Sequence, residues 1–245
     1  MIFSKKLGKT VLLVSLLLSG TSFASSLPLD GAKLLKASLD YSGALSQSSF
    51  SGEILNTFET NGTKVTKTHV VDVLLSRPNK LKVFVHGEGQ NREYILNSGH
   101  FSVIDAPLFV YGESDVPTEI DAALDHIFKE FNMNPPMGAL VYSDKHPRPK
   151  TEKFSYLGED LIGETPCHKV KVFLAKKTIV VWISKDELKP LVLRYDITQK
   201  EVPAHVAKEI STRITWKNGV SIKDDDFKFS APDNCHKIPF LGDKK

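Results

Sequence analysis

The hydrophobic pattern of the chain changes period three times. After Asp30, a good N-cap, the residues Leu34, Leu35, Ala37, Ser38, Leu39 and Tyr41 place an apolar stripe on a helix of three or four turns. From there to about Tyr111 the period falls to two. Ile54, Asn56 and Phe58, then Val70, Asp72 and Leu74, then Leu81, Val83 and Val85 alternate with their neighbours, as on consecutive antiparallel strands. Asn61-Gly62, Arg77-Pro78-Asn79, Gly87-Glu-Gly89 and Asn97-Ser98-Gly99 supply turn chemistry between them. Beyond Pro117 the residues Ile120, Ala123, Leu124, Ile127, Phe128 and Phe131 recur at i, i+3, i+4, i+7, i+8 and i+11, the clearest amphipathic helix in the chain. A turn-rich connection over residues 132–150 carries Pro135, Pro136, Pro147 and Pro149. Period two then resumes in segments 154–161, 170–174, 179–183, 191–197 and 210–216.

The order is therefore helix, about five strands, helix, about five strands, joined by hairpin-length turns. Without βαβ alternation a doubly wound nucleotide fold is excluded. The expected class is α+β, mainly β: one antiparallel sheet of about ten strands with helices gathered on one side. A twisted sheet that wide must curl, and helices inside the curve enclose an apolar space. With 41% hydrophobic residues and no dividing linker, residues 25–245 are expected to form a single domain.

Residues 1–24 stand apart. Lys5, Lys6 and Lys9 precede an apolar run from Val11 to Leu18, and Ser22-Phe23-Ala24 is an ending that signal peptidase accepts, so cleavage after Ala24 and export to the periplasm are expected. The run is too short to span a bilayer, which takes about 20 residues, so no transmembrane anchor is expected. No cysteine follows Ala24 to carry a lipid. The chain has 32 basic and 29 acidic residues, and three of the lysines lie in this segment; residues 25–245 are formally neutral. Nucleic acid is not an expected partner.

Several strings resemble, in order, a family of predicted periplasmic proteins. They are Ser76-Arg-Pro-Asn-Lys-Leu-Lys-Val83, Arg92-Glu-Tyr-Ile-Leu-Asn97, Tyr156-Leu-Gly-Glu-Asp-Leu-Ile-Gly-Glu-Thr-Pro-Cys-His-Lys-Val170, Val181-Trp-Ile-Ser through Lys189-Pro190, and Phe227-Lys-Phe-Ser-Ala-Pro232. That family is grouped with the LolA/LolB-like lipoprotein carriers, and the likeness covers roughly residues 30–238. It implies an unclosed half-barrel whose concave side is covered by helices. In the characterised carriers this face holds acyl chains, so the resemblance implies a lipid or a lipid-modified protein as partner. The matching strings transfer no catalytic residue, and neither enzymatic activity nor a cofactor is expected. An envelope interaction or stress-sensing module on the same fold is the alternative function, and a hydrolase of unrecognised type the third.

The candidate cavity residues are Ile120, Leu124, Ile127, Phe128 and Phe131 on the second helix, with Trp182, Leu193, Tyr195 and Trp216 on later strands. A helix over a filled core has the same pattern as one over a ligand space, so both readings stay open; Trp182 and Trp216 suit either plugging or lining. The segment from Glu119 to Asn132, following its proline break, is the candidate moving lid.

Cys167 and Cys235, the only cysteines, are expected to pair in an oxidising compartment. Free thiols are the alternative, as is a zinc set with the adjacent His168 and His236, although neighbours on a strand point to opposite faces. No metal is expected. His69, His86, His100, His126, His146 and His205 show no ligand spacing and read as isolated surface or turn residues. Asp224-Asp225-Asp226 lacks the glycine and distal glutamate of a calcium loop and reads as a solvated turn.

Overall fold

The computed structural model describes residues 29–147, 153–203 and 205–240; the expected signal segment lies outside them. Helix α1 (Gly31–Ala44) starts where expected, with the Asp30 carboxylate accepting from the N–H groups of Ala32 at 2.9 Å and Lys33 at 3.4 Å. Six strands follow: β1 (Gln47–Thr60), β2 (Thr63–Ser76), β3 (Lys80–Gly87), β4 (Gln90–Asn97), β5 (His100–Asp105) and β6 (Val110–Asp115). After α2 (Ile120–Phe131) come β7 (Lys153–Ile162), β8 (Thr165–Phe173), β9 (Lys177–Ser184), β10 (Val192–Gln199), β11 (Glu209–Lys217) and a two-residue β12 (His236–Lys237).

Among the described residues the twelve strands form one sheet, ordered β12-β6-β5-β4-β3-β2-β1-β11-β10-β9-β8-β7. It is the mainly β, unclosed, curled sheet of the half-barrel, two strands wider than the hydrophobic pattern suggested. Two antiparallel meanders meet where β1 pairs with β11, from Ser49 opposite Lys217 to Thr57 opposite Glu209. β12 pairs in parallel with β6. Alternation decides which side chains face inward: on β2, Val71, Val73 and Leu75 are buried while the residues between them are partly exposed.

The helices cover different halves of the concave side. The α2 residues Ile120, Ala123, Leu124 and Ile127 are at most 4% exposed and join one core with Phe50, Val71, Val83, Leu96 and Phe101. Helix α1 packs on β7, β8 and β9. Its buried residues are all small: Gly31, Ser38, Ser42 and Gly43. A Cβ at Gly43 would stand 2.5 Å from the backbone nitrogen of Asp144 and 2.8 Å from the carbonyl carbon of Ser143, so only glycine admits this approach of helix to connection.

The expected cysteine pairing is corrected. Cys167 and Cys235 are both free thiols. Cys167 is buried on β8 and Cys235 precedes β12, near opposite ends of the strand order. Asp224, Asp225 and Asp226 form a solvent-facing 3-10 turn, as expected, and the turn ends on Phe227, which is completely buried.

Gly43→Ala should lower the urea unfolding midpoint by an amount equivalent to about 1–3 kcal/mol, the cost of overpacking where the obstacle is backbone; an unchanged midpoint would remove this role for Gly43. Without reductant, a thiol reagent should modify Cys235 in the native protein. Burial raises the thiol pKa of Cys167, which should react only after unfolding. Failure of either thiol to react in denaturant would indicate that they are paired.

Candidate functional site

Beside the filled half of the fold the concave face stays open. Between α1, residues 132–147 and the middle strands lies a half-open cavity of about 950 Å³. Leu35 and Leu39 enter it from α1, one turn apart on the same face. Pro135, Met137 and Leu140 roof it from the connection, and the floor carries Ile54, Val181, Val192, Tyr195, Ile197 and Ile210. Leu35, Leu39, Tyr195, Ile197 and Ile210 remain partly exposed, unlike the closed core beneath α2.

Strand register places the floor residues in rows. His69 on β2 faces Ile54 on β1, Ile54 faces Thr212 on β11, Thr212 faces Tyr195 on β10, and Tyr195 faces Val181 on β9. In the next row Lys67 faces Asn56, Asn56 faces Ile210, Ile210 faces Ile197 and Ile197 faces Ile179. A register shift between Val192 and Arg194 leaves Leu193 as the extra residue, so both Val192 and Tyr195 reach the cavity despite their odd spacing.

The roof is held by polar contacts to α2. The Asp121 carboxylate accepts from the Ser143 N–H at 3.0 Å and from its hydroxyl at 2.5 Å. The Tyr142 hydroxyl donates to Asp125 at 3.0 Å, and the Arg77 guanidinium donates to the Val141 carbonyl at 2.7 Å. His146, stacked on Tyr142, brings its ring nitrogens to 3.8 Å from the carboxylates of Asp121 and Asp125. Burial, reinforced by Asp125, pushes the Tyr142 phenol well above its usual pKa, so it stays a donor. On the sheet side Met137 lies over Gly52, its sulfur occupying the space that a Cβ there would need.

Of the nine candidate cavity residues, Tyr195 lines this space, and burial raises its phenol pKa. Ile120, Leu124 and Ile127 sit in the filled core. Phe128 is 58% exposed, and Phe131 packs 4.7 Å from the ring of Phe240. Leu193 is the half-buried bulge residue. Trp182 projects from the convex face between Lys169 and Arg194, donating to Asp160 at 3.0 Å. Trp216 stands 4.5 Å from the Phe50 ring and donates to the Val192 carbonyl, beside a separate cleft of about 210 Å³. The helix placed over the cavity is thus α1, with the connection; α2, the expected lid, contributes no lining residue.

His69 is a correction of another kind. Read as a surface or turn residue, it is only 7% exposed, and burial lowers its pKa, so the ring is neutral at pH 7. Its even spacing with Val71 and Val73 is the sequence signal for an inward-facing side chain.

No helix among the described residues is long and apolar enough to cross a membrane. Among curated proteins none matches the sequence. An uncharacterized conserved protein from Thermus thermophilus superposes with a TM-score of 0.50 at 10% identity, over 85% of this chain and 98% of that one. Lipoprotein LppX from Mycobacterium tuberculosis gives 0.45 at 14% identity over 80% and 100%. A LolA superfamily protein from Nitrosomonas europaea gives 0.36 at 8% over 82% and 98%. The first of these shares the fold. Residues 31–241, which include both helices and every strand just described, match the model of a family described as "Predicted periplasmic protein (DUF2092)", and the chain belongs to that family.

Proposed function

We propose that this periplasmic protein is a binding protein, not an enzyme, and that it holds the acyl part of a lipid or a lipid-modified protein between α1, the 132–147 connection and the sheet. The half-open apolar cavity of about 950 Å³ carries this reading. Sites for small ligands measure about 300–1,000 Å³ and are lined mainly by apolar side chains. The periplasm is aqueous, and moving an acyl chain through it requires a surface that replaces water. Each methylene buried contributes about 0.8 kcal/mol, so a dozen would supply on the order of 10 kcal/mol before association costs.

Entry and release then require the roof to shift. The connection is the part of the roof that lines the cavity, and it is held both by hydrogen bonds to α2 and by the buried side chains of Met137, Leu140 and Val141, which would have to loosen with it.

Mass spectrometry of a solvent extract of the purified protein should find co-purifying lipid. A fluorescent fatty acid should bind saturably, and Leu39→Glu or Ile179→Asp should weaken binding by at least about tenfold by placing a charge in the cavity. Phe128→Asp, on the exposed face of α2, should bind as the unaltered protein does. A lipid-free protein that takes up no fatty acid would overturn the proposal.

A further inference from the structure

The cavity floor is mainly apolar; apart from Lys177 on β9 and the Tyr195 hydroxyl, its polar side chains gather in one corner. There β1 and β2 direct Asn56, His69 and Lys67 to the concave side, at positions that continue the inward alternation of Ile54, Val71 and Val73. Lys67 faces Asn56 across the strands, and His69 is two residues along β2 from Lys67, so the three side chains occupy adjoining places. Asn56 and His69 line the cavity itself.

His69 is more than nine-tenths buried, and its ring has no hydrogen-bond partner among the described residues. Its ring nitrogens keep access to the cavity solvent, so a ligand acceptor placed against them would take the place of water. Lys67, whose ammonium lies 5.8 Å from the centroid of the Phe58 ring, has no ion pair among the described residues. Nearby acids do not neutralise the corner: Glu59 is bound to Lys208 at 2.7 Å, and Glu88, which acts on His69 electrostatically, is exposed.

Resting on the lipid-binding reading, we infer that the ligand is an amphiphile with an anionic head, a carboxylate or a phosphate monoester, seated against Lys67, Asn56 and His69. Its chain runs over Ile210 and Tyr195 toward the β9 side of the floor. Lys67 supplies the charge, the Asn56 amide an N–H donor, and His69 one ring N–H. The polar corner fixes which end of the ligand lies at β2, and the apolar floor supplies the affinity common to every chain of that length.

Chain-matched competitors test this on the full protein: hexadecanoic acid, hexadecyl phosphate and hexadecanol, each displacing a fluorescent fatty acid. The better of the two anions should bind about tenfold tighter than the alcohol, the worth of a charge-assisted hydrogen bond, and its identity distinguishes carboxylate from phosphate. Lys67→Gln, an exposed and fold-neutral change, should remove most of that preference and leave alcohol affinity unchanged; Asn56→Leu should act in the same direction. Equal binding of acid, phosphate and alcohol would overturn the head-group assignment while leaving the lipid reading intact. So would a preference that survives both substitutions. If none of the three displaces the probe, the lipid reading falls as well.

Discussion

The chain must cross its own sheet. β6 lies next to one edge and β7 forms the other, because the second meander returns to the middle and pairs β11 with β1. Whatever joins β6 to β7 therefore has to travel the width of the half-barrel. Sheet curvature offers the concave side, where the apolar faces of the strands need covering. Helix α2 and residues 132–147 make that crossing, and α1 fills the remaining flank. The β1–β11 pairing thus sends β6 and β7 to opposite sides of the sheet, and the segment that joins them covers its concave face.

Cover and cavity differ by the size of the side chains that do the covering. Beneath α2, branched aliphatic residues meet the floor in a closed core. α1 instead buries Gly31, Ser38, Ser42 and Gly43, which bring its backbone close to β8 and to the connection but fill little volume. Its leucines 35 and 39 flank that contact and end at a space they do not fill.

The fold was largely legible in the chain. Both helices and nearly all the strands follow from period and turn residues, because one-sided burial leaves that record wherever a sheet packs on only one face. The cavity was less legible. The helix with the strongest stripe, α2, covers the filled half, since a pronounced stripe reports burial and not what is buried against it. Tyr195 reaches the cavity through a bulge at Leu193 that strict alternation does not foresee. His69 could have been placed from its parity with Val71 and Val73, but alternation on β2 was phased on Val70, Asp72 and Leu74, and a histidine without ligand spacing read as a surface or turn residue.

By itself the sequence determined the period of both helices and most strands, the cap at Asp30, the turns between the early strands, and the formal neutrality of residues 25–245, because these depend on composition and on neighbours along the chain. Which strand lies beside which was decided only in three dimensions. That order keeps Cys167 and Cys235 near opposite ends of the sheet as free thiols, sends Trp182 to the convex face, and gathers Lys67, Asn56 and His69 at one corner of a mainly apolar floor. Each outcome rests on pairings between segments distant in the chain, such as β1 with β11, and a pattern read along one strand carries no information about its partner.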